Sequence, residues 1–166
     1  MADRLEAAER ALANQGGLER RDGSFRASST PFDATVTLEG TESAVRYELE
    51  MELPTLDAIV ADETVADVVL DGWFDTLDRR LADLDGALRV EAAAPQVVLD
   101  EATDTVTVIA AFESSRPAQG AEDTAALVGF VEGTYMEGLI PGYTYREPVA
   151  GLLEQARERS GAEPPE

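Results

Sequence analysis

The pattern of apolar and polar residues predicts an α+β protein: an antiparallel sheet of two hairpin groups with helices packed on one face. Three observations carry this. Phe32 to Leu53 reads as one period-two hairpin, Gln96 to Glu113 reads as a second, and the stretches between and after them switch to a helical period. Hairpin runs separated by helices belong to α+β architectures rather than to alternating parallel units.

Taken in order, Asp3 and Glu6 form a capping-box pattern, with Asp3 as the N-cap of a first helix whose Leu5, Ala8 and Leu12 share a face. Gly16 and Gly17 stop it. Ser24 to Ser28 reads as a short edge strand through Phe25 and Ala27. Phe32, Ala34, Val36 and Leu38 then alternate with Asp33, Thr35, Thr37 and Glu39. After a turn over Gly40 to Ser43, Val45, Tyr47, Leu49, Met51 and Leu53 alternate with Arg46, Glu48, Glu50 and Glu52. This is a hairpin with one buried and one wet face, ended by Pro54. Thr55 is placed to cap a short turn over Leu56 to Val60.

From Val65 to Leu84 the period is helical. Val65, Val69, Leu70, Trp73, Leu77, Leu81 and Leu84 fall on one side, and Asp67, Asp71, Asp75, Asp78 and Asp85 fall opposite. Leu88, Val90 and Ala92 alternate weakly, which adds a candidate third strand to the second hairpin. That hairpin joins Gln96 to Asp100 with Thr105 to Glu113. Ser114 to Gly120 reads as a loop and Ala121 to Met136 as a helix with Leu127, Val128, Val131 and Tyr135 inward. Pro148 takes the first position of a last helix, whose apolar side is Val149, Leu152, Leu153 and Ala156 and which ends at Gly161. One domain over residues 1–161 is expected, followed by a disordered tail over 162–166.

The 166 residues carry a net charge of −21, from 14 Asp and 20 Glu against 13 basic residues, all of them Arg. Such charge opposes contact with nucleic acid or an anionic membrane. At high salt the mutual repulsion of surface carboxylates is screened, because the Debye length falls to about 3 Å near 1 M. The composition therefore points to a halophilic, cytoplasmic protein. Met1 to Ala13 is charged and lacks the apolar core of a signal peptide, and no window approaches a membrane span.

The chain has no Cys, no His and no Lys. Disulfides, thiolate metal sites, imidazole bases, Ser–His–Asp triads, Schiff bases and P-loop lysines are excluded. Carboxylates, Arg, Tyr and Ser/Thr remain, and none forms a recognisable catalytic constellation, so no catalytic residue, metal ligand or cofactor is assigned. With one residue in five acidic, the Asp67, Asp71 and Asp75 stripe reads as a solvated face. Asp100 to Asp104 lacks the glycine and terminal glutamate of a calcium-binding loop.

The segment Phe130 to Tyr145 stands apart, combining Gly133, Gly138 and Gly142 with Pro141 and three tyrosines. Gly129 and Gly133 give a smooth helix face, read first as close packing and second as a groove floor. Tyr143, Tyr145 and Arg146 suit an interface anchor. Trp73 reads as core, and Phe74, nearer the rim, as a patch for a partner or a second copy. The candidate binding residues are Phe74, Glu132, Tyr135, Glu137, Tyr143, Tyr145 and Arg146.

Through the Phe130 to Tyr145 segment and the Trp73-Phe74 pair, the sequence resembles an uncharacterised haloarchaeal protein family, a domain of unknown function. The resemblance extends from the first hairpin to Leu153 and implies a haloarchaeal, cytoplasmic origin without an activity or ligand. The predicted element order, α-βββ-α-ββ-α, also resembles the type III secretion chaperone-like fold, whose members are often dimeric. The favoured expectation is a non-enzymatic protein-binding or chaperone-like domain, open to homodimer formation. The alternative is a carboxylate-based hydrolase or divalent-metal enzyme, which needs acidic groups converging in a concave site. Nucleic-acid binding through Arg and stacked tyrosines ranks last, because it needs a neutral or positive concavity.

Overall fold

The computed structural model describes residues 2–160. The Gly161 helix stop and the 162–166 tail expected from the sequence lie outside the described residues. Six strands form one antiparallel sheet: β1 (Leu18–Arg21), β2 (Ser24–Ala27), β3 (Asp33–Gly40), β4 (Val45–Pro54), β5 (Gln96–Asp100) and β6 (Thr105–Ser114). Their spatial order is β1-β2-β3-β4-β6-β5, so the two hairpin groups meet along β4 and β6. That seam is in register over the full length of both strands, from Val45 opposite Ser114 to Pro54 opposite Thr105.

The predicted alternation sets the two faces. Ala34, Val36, Tyr47, Leu49, Met51, Val106, Val108 and Ala110 are buried on the inner face. Each large apolar side chain buried there contributes about 1.5–3 kcal/mol. Thr35, Glu50, Glu52 and Glu113 are exposed on the outer face, and Glu48, Thr107 and Ile109 are half-buried there.

The helices are α1 (Ala2–Ala13), α2 (Leu56–Ile59), α3 (Asp67–Leu81), α4 (Pro117–Glu137) and α5 (Val149–Ser160), with a 3-10 turn over Leu84–Ala87. Helix α4 lies against β4 and β6 and also meets α1, α3 and the 3-10 turn, while α1 packs on β1, β3 and β4. One core cluster runs from Ala8 on α1 to Val149 on α5.

Several local expectations hold. Leu12 is fully buried, Gly17 adopts φ +87°, and the Thr55 hydroxyl caps α2 by accepting from the Ala58 N–H at 3.3 Å. Leu127, Val128, Val131 and Tyr135 all point inward from α4.

Others are corrected. Helix α1 begins at Ala2, so Asp3 sits in its first turn, where a carboxylate favours the helix dipole, and is not the N-cap. The Ser24 segment is not an edge strand, because Leu18–Arg21 pairs outside it. Leu18 and Phe25 both face the core. The Leu88 to Ala92 stretch forms no strand. Helix α4 starts four residues earlier than expected, at Pro117, which supplies the missing-donor start that the sequence suggested for Pro148. Pro148 itself lies one residue before α5. Ala156 is exposed and not on a buried side.

Candidate functional site

The loop between α4 and α5 is tied down by its own tyrosines. The Tyr145 hydroxyl donates to the Ile140 carbonyl at 2.6 Å and accepts the Ile140 N–H at 2.8 Å. Backbone bonds from Arg146 to Ile59 and from Ala61 to Thr144, both 2.7 Å, clip the same loop to α2. Tyr143 meets Tyr145 edge-on at 6.3 Å, and both are half-buried. Burial raises the Tyr145 pKa, its bond to Ile140 works against that rise, and Tyr143 adds to it.

Tyr135 is fully buried. Its hydroxyl donates to the Pro54 carbonyl at 2.9 Å, and its ring packs edge-on against Phe32 and Trp73. Burial, with a smaller contribution from Tyr145, holds its phenol well above the ordinary range. Phe74 and Glu132 are half-buried, and Glu137 and Arg146 are exposed. The structure thus joins Tyr143 to Tyr145. Among the described residues no hydrogen bond or ion pair links the side chains of Glu132, Glu137 and Arg146 to one another.

Gly129 and Gly133 pack against nothing: both are exposed, and a Cβ on either would meet open space. The expectation of close packing there is corrected. The glycine of α4 that does make a close approach is Gly120, whose absent side chain leaves room for the Tyr47 ring and hydroxyl.

Asp33, Glu50 and Glu52 line one small pocket of about 220 Å³ beside Thr35 on the outer face, where all three are exposed and Arg26 holds Asp33 at 2.8 Å. Among the described residues no group of three or more acidic side chains is arranged to hold a metal ion. Asp123 is a buried carboxylate, and it is committed to the backbone N–H of Arg89 at 3.3 Å.

A larger concavity lies elsewhere. A groove of about 750 Å³ opens on the outer face between β6 and the Val90 to Ala94 stretch. Ile109, Ala111, Phe112 and Glu113 line it from β6, Arg46 and Glu48 reach it from β4, and Glu91 lines it from the Val90 to Ala94 stretch. Its origin is local. β6 has ten residues, whereas β5 pairs only with the Thr105 to Ile109 half. Continued upstream, the β5 register would put Pro95 opposite Ala110. Proline has no N–H to give a ladder, so pairing ends at Gln96 and the chain leaves the sheet. Arg89 then fastens the departing segment to α4, through its backbone to Asp123 and its guanidinium to Glu122. Val98, 53% exposed, lies diagonally beside Ile109 and extends an apolar strip along an otherwise acidic face.

The sequence pattern does not disclose this groove, because Leu88 to Ala92 alternates like a further strand; Pro95 is the available signal.

Fold and groove together define an α+β protein with an open antiparallel sheet and, among the described residues, a partly unpaired strand edge. The chain belongs to the family of unknown function DUF5813, whose family model matches residues 13–155. No curated protein and no solved structure matches it.

Proposed function

We propose that the chain is a non-enzymatic protein-binding domain that acts as one α+β unit in a halophilic, haloarchaeal cytoplasm. The observation that supports this best is the groove beside β6, which joins an apolar strip to a strand edge in a sheet whose outer face, among the described residues, carries no second layer. Such edges are places where natural proteins either guard against or use strand pairing. Asp33, Glu50 and Glu52 share a small pocket, but all three are exposed and Arg26 holds Asp33 at 2.8 Å, so the carboxylate-hydrolase reading has less behind it than the groove. The chaperone-like reading rests on the expected order α-βββ-α-ββ-α alone, from which the structure departs by a fourth strand in the first group, and no observation favours a homodimer over another partner.

The test is a photo-cross-linking amino acid placed at Ala111 in the groove and, separately, at Gly129 on the exposed face of α4, in protein made in a haloarchaeal host. Adducts of discrete mass at Ala111 and not at Gly129 are expected. Equal labelling at both positions, or none at Ala111, refutes the proposal. Sedimentation in multimolar salt then shows whether the adduct partner is a second copy.

A further inference from the structure

Resting on the protein-binding reading, a more specific inference concerns what the groove holds. β6 is fully paired to β4 on one side, but among the described residues no strand pairs with it from Ala110 to Ser114 on the other. In an antiparallel strand alternate residues turn both N–H and C=O to the same side. The free half of β6 therefore presents backbone donors and acceptors to the groove, over a length that fits an added strand of about five residues.

The side chains narrow the choice of occupant. Arg46 lies directly opposite Glu113 across the β4–β6 seam, with its guanidinium engaged by Glu48 at 2.8 Å. Glu91 and Glu113 have no ion-pair partner among the described residues. A strand laid along β6 would lie between β6, which carries Glu113, and the stretch that carries Glu91, with its outward side chains beside Ile109 and Ala111. We propose that the β6 edge from Ala110 to Ser114 takes an extended segment of a partner polypeptide, with a basic side chain seated between Glu91 and Glu113. The charge requirement disfavours a second copy of this acidic chain as the occupant.

The experiment uses the full chain and labelled seven-residue peptides of alternating Val and Thr. One has Arg at its centre, one has Glu, and one is the Arg peptide N-methylated at alternate amides. Fluorescence anisotropy is expected to show binding of the Arg peptide, binding of the Glu peptide about tenfold weaker or worse, and none for the N-methylated form. Amide exchange should slow between Ala111 and Ser114 when the Arg peptide binds. Glu91→Gln with Glu113→Gln should erase the Arg preference without disturbing the fold. Pro95→Val should let β5 continue along β6, slow exchange there without peptide, and weaken peptide binding about tenfold.

Equal binding of the N-methylated peptide, failure of the Arg peptide to bind, or unchanged binding by Pro95→Val would overturn strand addition. So would a peptide-free dimer formed through this edge. Exchange protection on another surface sinks this inference and leaves the protein-binding reading standing. Absence of cross-links at Ala111 sinks that broader reading.

Discussion

The Asp123 carboxylate, buried on α4, accepts the backbone N–H of Arg89 through both oxygens, at 3.3 and 3.4 Å. This contact joins the helical layer to the segment that walls the groove. Replacing Asp123 by Ala leaves the Arg89 N–H without its acceptor, which costs about 1–3 kcal/mol. Chemical denaturation should show that loss, and amide exchange should quicken over residues 88–94 before it does in the core. Unchanged exchange there would mean that the wall is held by other contacts.

Gly120 and Tyr47 form a second coupled pair. A Cβ at position 120 would run into the Tyr47 ring, which is itself stacked on Phe112 at 4.8 Å and has little room to move. Gly120→Ala is expected to destabilise by about 1–3 kcal/mol through overpacking. The Tyr47 hydroxyl has no hydrogen-bond partner among the described residues. Tyr47→Phe should therefore stabilise by about 1 kcal/mol and should soften the Gly120→Ala penalty. A double-mutant cycle with no coupling between the two would contradict the geometry.

Burial pushes the Tyr47 phenol up to about 12 and raises Tyr135 and Tyr145 in the same direction. A phenol with a raised folded pKa stays protonated while its unfolded form ionises near 10, so the unfolded state holds fewer protons and stability falls as pH rises. For Tyr47 the fall runs from about pH 10 to about pH 12, at up to about 1.4 kcal/mol per pH unit. Denaturant melts at pH 9, 10 and 11 should show it, and the slope should flatten in Tyr47→Phe. A flat profile in the parent chain would rule out burial of these hydroxyls.

The outer face gives a salt prediction. Asp33 lies directly opposite Glu52, with Arg26 bound to Asp33 at 2.8 Å, and Glu48, Glu50 and Glu52 follow one another along β4. Like charges at such spacing cost about 0.2–1 kcal/mol each, and salt removes much of that. Unfolding free energy should rise with KCl concentration, and Glu50→Gln with Glu52→Gln should reduce the slope. Equal slopes would place the salt response outside the sheet.

Most of the fold was legible because it rests on period. The β3–β4 hairpin and the Trp73, Leu77 and Leu81 face of α3 each repeat one simple pattern, and burial follows it. Leu18–Arg21 escaped notice because a four-residue edge strand with three charged residues has no apolar rhythm to read. The candidate site was less legible. The tyrosines after Pro141 drew attention by composition, yet Tyr145 spends its hydroxyl on Ile140 and Tyr135 is core. The groove depends on a register, namely where β5 stops beside β6, and register is a relation between segments that neither sequence states alone.

Among the described residues the helices pack on the inner face of the sheet, and this separates the pressures acting on its strands. At Leu49 or Val108 a change of one methylene is felt by closely packed neighbours. At Thr37 or Glu50 there is no second layer to feel it. Mutational drift can therefore rewrite the outer residues for a different ionic strength while the inner ones stay fixed. A resurfaced chain with the same interior should fold in dilute buffer, so tolerance of a particular solvent is a removable coat on this scaffold.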